Sequence, residues 1–163
     1  MAHRTAARAG VQHVTASQLI REERGRVTWT HDRRVRDADA NQEALIEAVI
    51  RLSSVQALLL DGHFVLRGSG GQLMRLAVEV FARLRISATV LVEAPCEVVA
   101  ERLAKRGEAK VQISAIRELA AAERDHAVNV CSTLGLPLVP LMAPTEDQFE
   151  VALRDLLSQA RRH

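Results

Sequence analysis

Val55-Gln56-Ala57-Leu58-Leu59-Leu60-Asp61-Gly62-His63-Phe64 carries the strongest structural signal in this chain. An unbroken apolar run that ends in an acid and a glycine predicts a buried parallel strand. Such a strand delivers its carboxylate to the C-terminal edge of a sheet. Phosphoryl-transfer enzymes use an acid placed there to hold the Mg²⁺ of a bound nucleotide, directly or through water. They also need a glycine-rich loop with a lysine, G-x-x-x-x-G-K-[ST], to cradle the phosphates. Residues 1–163 contain no such loop.

Outward from that strand, apolar and turn residues alternate in a way that predicts helices between strands. Residues 1–9 are Ala-rich and predict a helix, with Gly10 just past its end. Val11–Val14 predicts a short strand, and Thr15 or Ser17 caps a helix running to about Glu23. From Arg24 to Asp39 the chain is charged, with one Trp29, and predicts a loop. Leu45, Ile46, Val49 and Ile50 form a stripe on a helix over 41–52.

His63–Gly71 predicts a loop, with or without a short extended piece, followed by an amphipathic helix over Leu73–Leu84. A second buried strand lies within Ile86–Glu93, and Pro95 opens a helix over Cys96–Arg106. Gly107 separates it from a long helix over Val111–Leu134, closed by Gly135. Leu136–Leu141 predicts a strand whose Pro137 and Pro140 favour a sheet edge. Thr145 caps a last helix to about Arg161, with Glu146 and Asp147 in its first turn. The expectation is an α/β fold with a mainly parallel sheet, in a single domain.

Composition narrows the function classes. At 48% apolar and 26% charged the chain is globular rather than disordered. No apolar run approaches the roughly 20 residues of a membrane span, and Met1–Arg8 lacks the apolar region of a signal peptide. Cys96 and Cys131 have no metal-ligand spacing and are expected as free thiols in a cytoplasmic protein. Of 22 basic residues only Lys105 and Lys110 are lysine. A GC-rich genome explains that bias, and arginine forks also suit phosphate oxygens. Acids interrupt the basic stretch over residues 21–40, which disfavours a nucleic-acid partner. No Ser-His-Asp set is present, so a hydrolase is not expected.

Four segments together resemble the P-loop nucleoside monophosphate kinases, the adenylate-kinase-like family, and in particular its small bacterial ATP-binding kinases. Val14-Thr15-Ala16-Ser17-Gln18-Leu19-Ile20-Arg21 is similar to the family's second strand and acceptor-side helix. Leu59-Leu60-Asp61-Gly62 matches its hydrophobic-Asp-Gly segment. Val90–Pro95 with Glu101-Arg102-Leu103-Ala104-Lys105-Arg106 is similar to the strand and helix before its lid, and Leu136–Pro140 to its last strand.

The resemblance implies a three-layer core over 1–163, an acceptor-side insert near 16–53 and a short lid near 107–125. It also implies ATP and Mg²⁺ as cofactors and a nucleotide or other small phosphate acceptor as partner, with oligomeric state left open. The family opens with a central strand and the P-loop, whereas residues 1–9 resemble only the helix that follows. The expectation is therefore a truncated or mis-started kinase lacking its first strand. The alternative is a non-catalytic, degenerate domain that binds a nucleotide or a protein. After Asp-Gly the adenylate kinases proper continue with Pro and Arg, and this chain has His63-Phe64-Val65, which separates it from adenylate as acceptor.

The candidate residues follow. Asp61 is the Mg²⁺ acid, or else a turn residue beside Gly62. Arg102 and Arg106, four apart, share a helix face and bind nucleotide phosphates and the transferred phosphoryl group, or else decorate a solvated helix end. Arg117, with Arg124, is a candidate lid arginine, unless Glu118, Glu123 and Asp125 neutralise the two. Thr15, Ser17 and Arg21 are candidates for the acceptor phosphate, and His63 for the acceptor itself, against a histidine bonded to backbone. Gly68-Ser69-Gly70-Gly71 precedes the expected helix but carries no lysine, and is read as a loop rather than a phosphate cradle.

Overall fold

The computed structural model describes residues 1–24, 38–68, 70–107 and 111–160. The loop expected over Arg24–Asp39, with Trp29, therefore lies outside the described residues except at its ends. The chain divides into two compact units, Met1–Ile86 and Ser87–His163.

The first unit runs α1 (Ala2–Ala9), β1 (Gln12–Thr15), α2 (Ala16–Arg24), α3 (Ala38–Ser53), β2 (Leu58–Asp61), β3 (Val65–Arg67), β4 (Leu73–Arg75) and α4 (Val78–Arg83). Helix α1 has no side-chain N-cap and relies on alanine propensity and its C-terminal lock. Gly10 takes φ +70°, which lets its own N–H reach Ala7 O while Val11 N–H reaches Ala6 O. The chain turns there directly into β1, which pairs in parallel with β2.

The register joins His13 to Leu59 and Thr15 to Asp61. One face of the pair thus carries His13, Thr15, Leu59 and Asp61, the other Gln12, Val14, Leu58 and Leu60. Val14, Leu58 and Leu60 pack with Leu19 of α2, Leu45, Ile46, Ala48 and Val49 of α3, and Val80 and Leu84 near α4. Each large aliphatic side chain fully buried in such a cluster stabilises the fold by about 1.5–3 kcal/mol. The α3 stripe differs from expectation at one end, because Ile50 is half exposed while Ala44 and Ala48 are buried in its place.

Three sequence expectations fail between Val55 and Leu84. The strand starts at Leu58, not Val55, and Val55 is 83% exposed. The leucines of β2 are half-buried rather than buried, since β2 pairs with a strand on one edge only among the described residues. The helix expected over Leu73–Leu84 is instead β4 followed by a shortened α4. Leu73–Arg75 pairs antiparallel with Val65–Arg67, so the glycines form the tip of a hairpin, with Gly68 N–H bonded to Gln72 O at 2.8 Å. A three-residue strand shows no period that distinguishes it from one helical turn. Phe64 and Phe81 then stack at 4.7 Å between ring centroids, tying the base of the hairpin to α4.

Exposed ion pairs link the helices of this unit. Arg51 of α3 holds Glu23 of α2, and Arg83 of α4 holds Glu43 of α3 through paired bonds. The hydrogen bonds from the guanidinium groups hold both carboxyls below the usual glutamate range.

The second unit runs β5 (Thr89–Glu93), α5 (Cys96–Lys105), α6 (Ile113–Leu134), β6 (Leu138–Met142) and α7 (Glu146–Ala160). Strands β5 and β6 pair in parallel, with Glu93 opposite Met142. Two flanking bonds, Thr89 N–H to Pro137 O and Ala143 N–H to Glu93 O, set the phase of the ladder. Residues 139 and 141 turn their backbone groups to β5, and Leu138, Pro140 and Met142 turn theirs away. Proline, with no N–H to donate, is tolerated there as the sequence suggests. Like β2, β5 is half-buried, with Val92 exposed, where a buried strand was expected.

Helix α6 ends at Gly135 in the same left-handed manner as α1 ends at Gly10. Its buried face (Ile116, Ala127, Val130, Cys131) and that of α7 (Phe149, Ala152, Leu153, Leu156) supply the apolar core of this unit. Thr145 opens α7 with a reciprocal cap: Gln148 N–H donates to Thr145 Oγ1, and Thr145 N–H to Gln148 Oε1. Both cysteines are free thiols. Among the described residues no helix is long and apolar enough to cross a membrane.

Candidate functional site

The C-terminal ends of β1 and β2 bring Thr15 and Asp61 side by side, because the two residues are register partners. Thr15 Oγ1 accepts the Gln18 N–H at 3.1 Å and so caps α2. Its hydroxyl also lies 3.3 Å from that of Ser17. Ser17 and Arg21 are four apart on α2 and share a face. The strand end, the helix start and the three candidate acceptor residues are therefore one local arrangement in the first unit.

Asp61, like Ser17 and Arg21, is exposed, with its side chain 62% accessible. No arginine or lysine pairs with it among the described residues. Its nearest charged or chargeable neighbour is one that the sequence reading passed over: His13 Nε2, 3.9 Å from Asp61 Oδ2. The alternation His13-x-Thr15 puts both residues on one strand face, but only the parallel register with β2 shows that Asp61 shares it. His63 is also exposed, two residues beyond Asp61, and has an interaction of its own.

The carboxylate and hydroxyl oxygens are hard donors of the kind Mg²⁺ prefers. Among the described residues no group of three or more His, Cys, Asp or Glu side chains converges on a metal position. A lone acid suits magnesium, which keeps water and substrate phosphates as most of its ligands, and does not suit a zinc cage. These residues fit the ion that the sequence implies.

The arginines proposed for phosphates lie in the second unit. Arg102 is in the last turn of α5, and Arg106 is its C-cap residue, just past the helix rather than on its face. Arg117 is near the start of α6. All three are exposed, and none has an ion-pair partner among the described residues. Arg124 behaves differently. Its guanidinium binds Glu93, with Nε to Oε1 at 2.8 Å, so the acid that holds it comes from β5, and Asp125 adds a weaker attraction. The hydrogen bond from Arg124 to Glu93 raises the guanidinium pKa further.

A groove of about 660 Å³ between β6 and α7 is lined mainly by apolar side chains, among them Val139, Leu141, Met142 and Val151. It contains none of the residues suited to phosphate chemistry, and the strand end at Asp61 is the better candidate.

Parallel β–α pairing with an acid at a strand's C-terminal end fits a P-loop NTPase-like α/β fold, and the family comparison supplies the class. A family model described as an AAA domain matches residues 1–119, and the chain belongs to that family. Among curated proteins none matches the chain.

Proposed function

We propose that the chain carries the magnesium and acceptor parts of an ATP-dependent phosphotransferase of the nucleotide or nucleoside kinase type. The observation that carries the proposal is Asp61, an exposed carboxylate that no arginine or lysine among the described residues pairs with, opposite Thr15 at the end of a parallel pair. Mg²⁺ near Asp61 would screen the phosphate charge during transfer. The rest is done by side chains of this chain. Thr15, Ser17 and Arg21 bind and orient the acceptor phosphate. In the second unit, Arg102, Arg106 and Arg117 are exposed guanidinium donors of the kind that suits phosphate oxygens.

In-line transfer also needs a glycine–lysine loop, which residues 1–163 do not contain. Binding of Mg·ATP is therefore the test, by calorimetry on the whole protein with and without Asp61→Ala. Loss of binding with an unchanged far-ultraviolet spectrum supports the assignment. Equal affinity in both proteins would remove Asp61 from it. The absent loop favours one rival, a non-catalytic binding domain, and a folded protein with no affinity for Mg·ATP would select that reading.

A further inference from the structure

His13 presents a puzzle that the phosphate reading does not use. Its Nε2 atom is shut off from solvent and has no hydrogen-bond partner among the described residues. A buried polar atom left without a partner is costly, so such atoms are scarce in folded proteins. The ring is held in place: His3 of α1 meets it edge-on, with centroids 5.9 Å apart and planes at 70°. The group that Nε2 faces is the Asp61 carboxylate, 3.9 Å away and diagonal to it across the β1–β2 register.

The two partners differ in freedom. The His13 side chain is 15% exposed and Asp61 62%, so the carboxylate is the one that can turn. Closing the distance by roughly 1 Å makes a charge-assisted hydrogen bond of ordinary length. That bond would occupy Oδ2 and leave the other carboxylate oxygen facing solvent. Acids that bind metal ions are commonly fixed in this way by a second hydrogen-bonding residue behind them.

We propose that His13 is a positioning residue: its Nε2–H donates to Asp61 Oδ2 and locks the carboxylate in the orientation that receives a divalent cation. This rests on the reading of Asp61 as the cation's acid. Nothing in it requires a change in the protonation of either group. Thr15, on the same strand and face as His13, lies directly opposite the acid and is already committed as the cap of α2.

Two readouts test it on the whole chain. The first is the affinity for Mn²⁺ alone, from the electron paramagnetic resonance signal of the free ion. His13→Phe keeps the ring shape and removes the donor, and is expected to weaken binding by about 10–100-fold. His13→Gln carries an amide N–H at similar reach and should restore affinity to within about threefold of wild type. The second readout needs no variant: the three-bond couplings of the Asp61 β-protons should report one χ1 rotamer in the wild-type protein. In His13→Phe they should average.

Wild-type Mn²⁺ affinity in His13→Phe, or averaged couplings in the wild-type protein, would overturn the proposal. Asp61→Asn separates it from the function it rests on. Loss of Mn²⁺ binding there, with none in His13→Phe, sinks the positioning role and leaves the phosphotransferase reading standing. Unchanged Mn²⁺ binding in Asp61→Asn sinks the cation site and the purpose assigned to His13 together.

Discussion

Asp61 and Glu93 each end a parallel strand of the same kind, one opposite Thr15 and the other opposite Met142. The surroundings treat them in opposite ways. Glu93 is 15% exposed and bound to Arg124, whereas Asp61 is 62% exposed, with Thr15 as its register partner, His13 Nε2 3.9 Å away and no arginine or lysine paired to it among the described residues. A carboxylate already bound to guanidinium has little left to offer a cation, and one without such a partner has most of its capacity free. The position at the strand end is thus necessary for a magnesium acid but not sufficient. What decides is whether the surrounding helices bring an arginine to it.

The contrast breaks first where the expected effect is largest. Asp61→Asn should lower the affinity for Mg·ATP by at least about a hundredfold, more than the loss of a supporting residue, and Glu93→Gln should leave it unchanged within about threefold. Calorimetry on both variants checks this, and equal losses would erase the distinction between the two acids. The arginines extend it. Arg102→Gln or Arg106→Gln should each cost about tenfold in Mg·ATP affinity, the worth of one charge-assisted hydrogen bond. Arg124→Gln should leave affinity intact and lower the melting temperature, because its fork holds α6 to β5.

Smaller effects sharpen the comparison through the two caps. Thr15→Val and Thr145→Val each remove a hydroxyl that accepts a helix N–H, and each should cost about 1 kcal/mol in urea unfolding. Only Thr15→Val should also weaken Mn²⁺ binding, since only that cap stands next to the candidate acid. The smallest effect is in acid. Glu23 and Glu43 are held below the usual glutamate range by hydrogen bonds from Arg51 and Arg83. A depressed folded-state value means that the stabilisation is present above the unfolded glutamate range and is lost as pH falls through the folded one. The melting-temperature gap between wild type and Glu43→Gln should therefore be small at neutral pH and close in acid. High salt should narrow it as well, because both pairs are exposed.

Much of this architecture is legible in the sequence because it depends on local rules. Gly10 and Gly135 mark helix ends, Thr15 and Thr145 mark helix starts, and the apolar run from Val55 to Leu60 reads as a strand with its acid at the right end, three residues too long at its start. The reading fails where local pattern is silent. Leu73–Arg75 is too short to display a period, so it passes for the first turn of α4. The site divides in the same way. Asp61, Thr15 and Ser17 are readable from the residues and their family resemblance, but His13 enters only through a strand register. Arg124 looks neutralised by its own helix, while its partner Glu93 is 31 residues away in sequence. Pairing of that kind is settled by tertiary packing, to which spacing rules are blind.

Pro140 has a consequence for how the protein behaves when crowded. A short apolar strand with a free rim invites neighbouring molecules to add on and propagate, the route to fibres and precipitates. Leu138-Val139-Pro140-Leu141-Met142 would be a strong seed of that kind if every outward amide could donate. The proline removes the central one, so a molecule docking along this rim finds a gap in the middle of the bonding row. Replacing it with valine would leave the ladder to β5 intact and turn the strand into a gatekeeper-free aggregation segment, with turbidity that rises on mild heating.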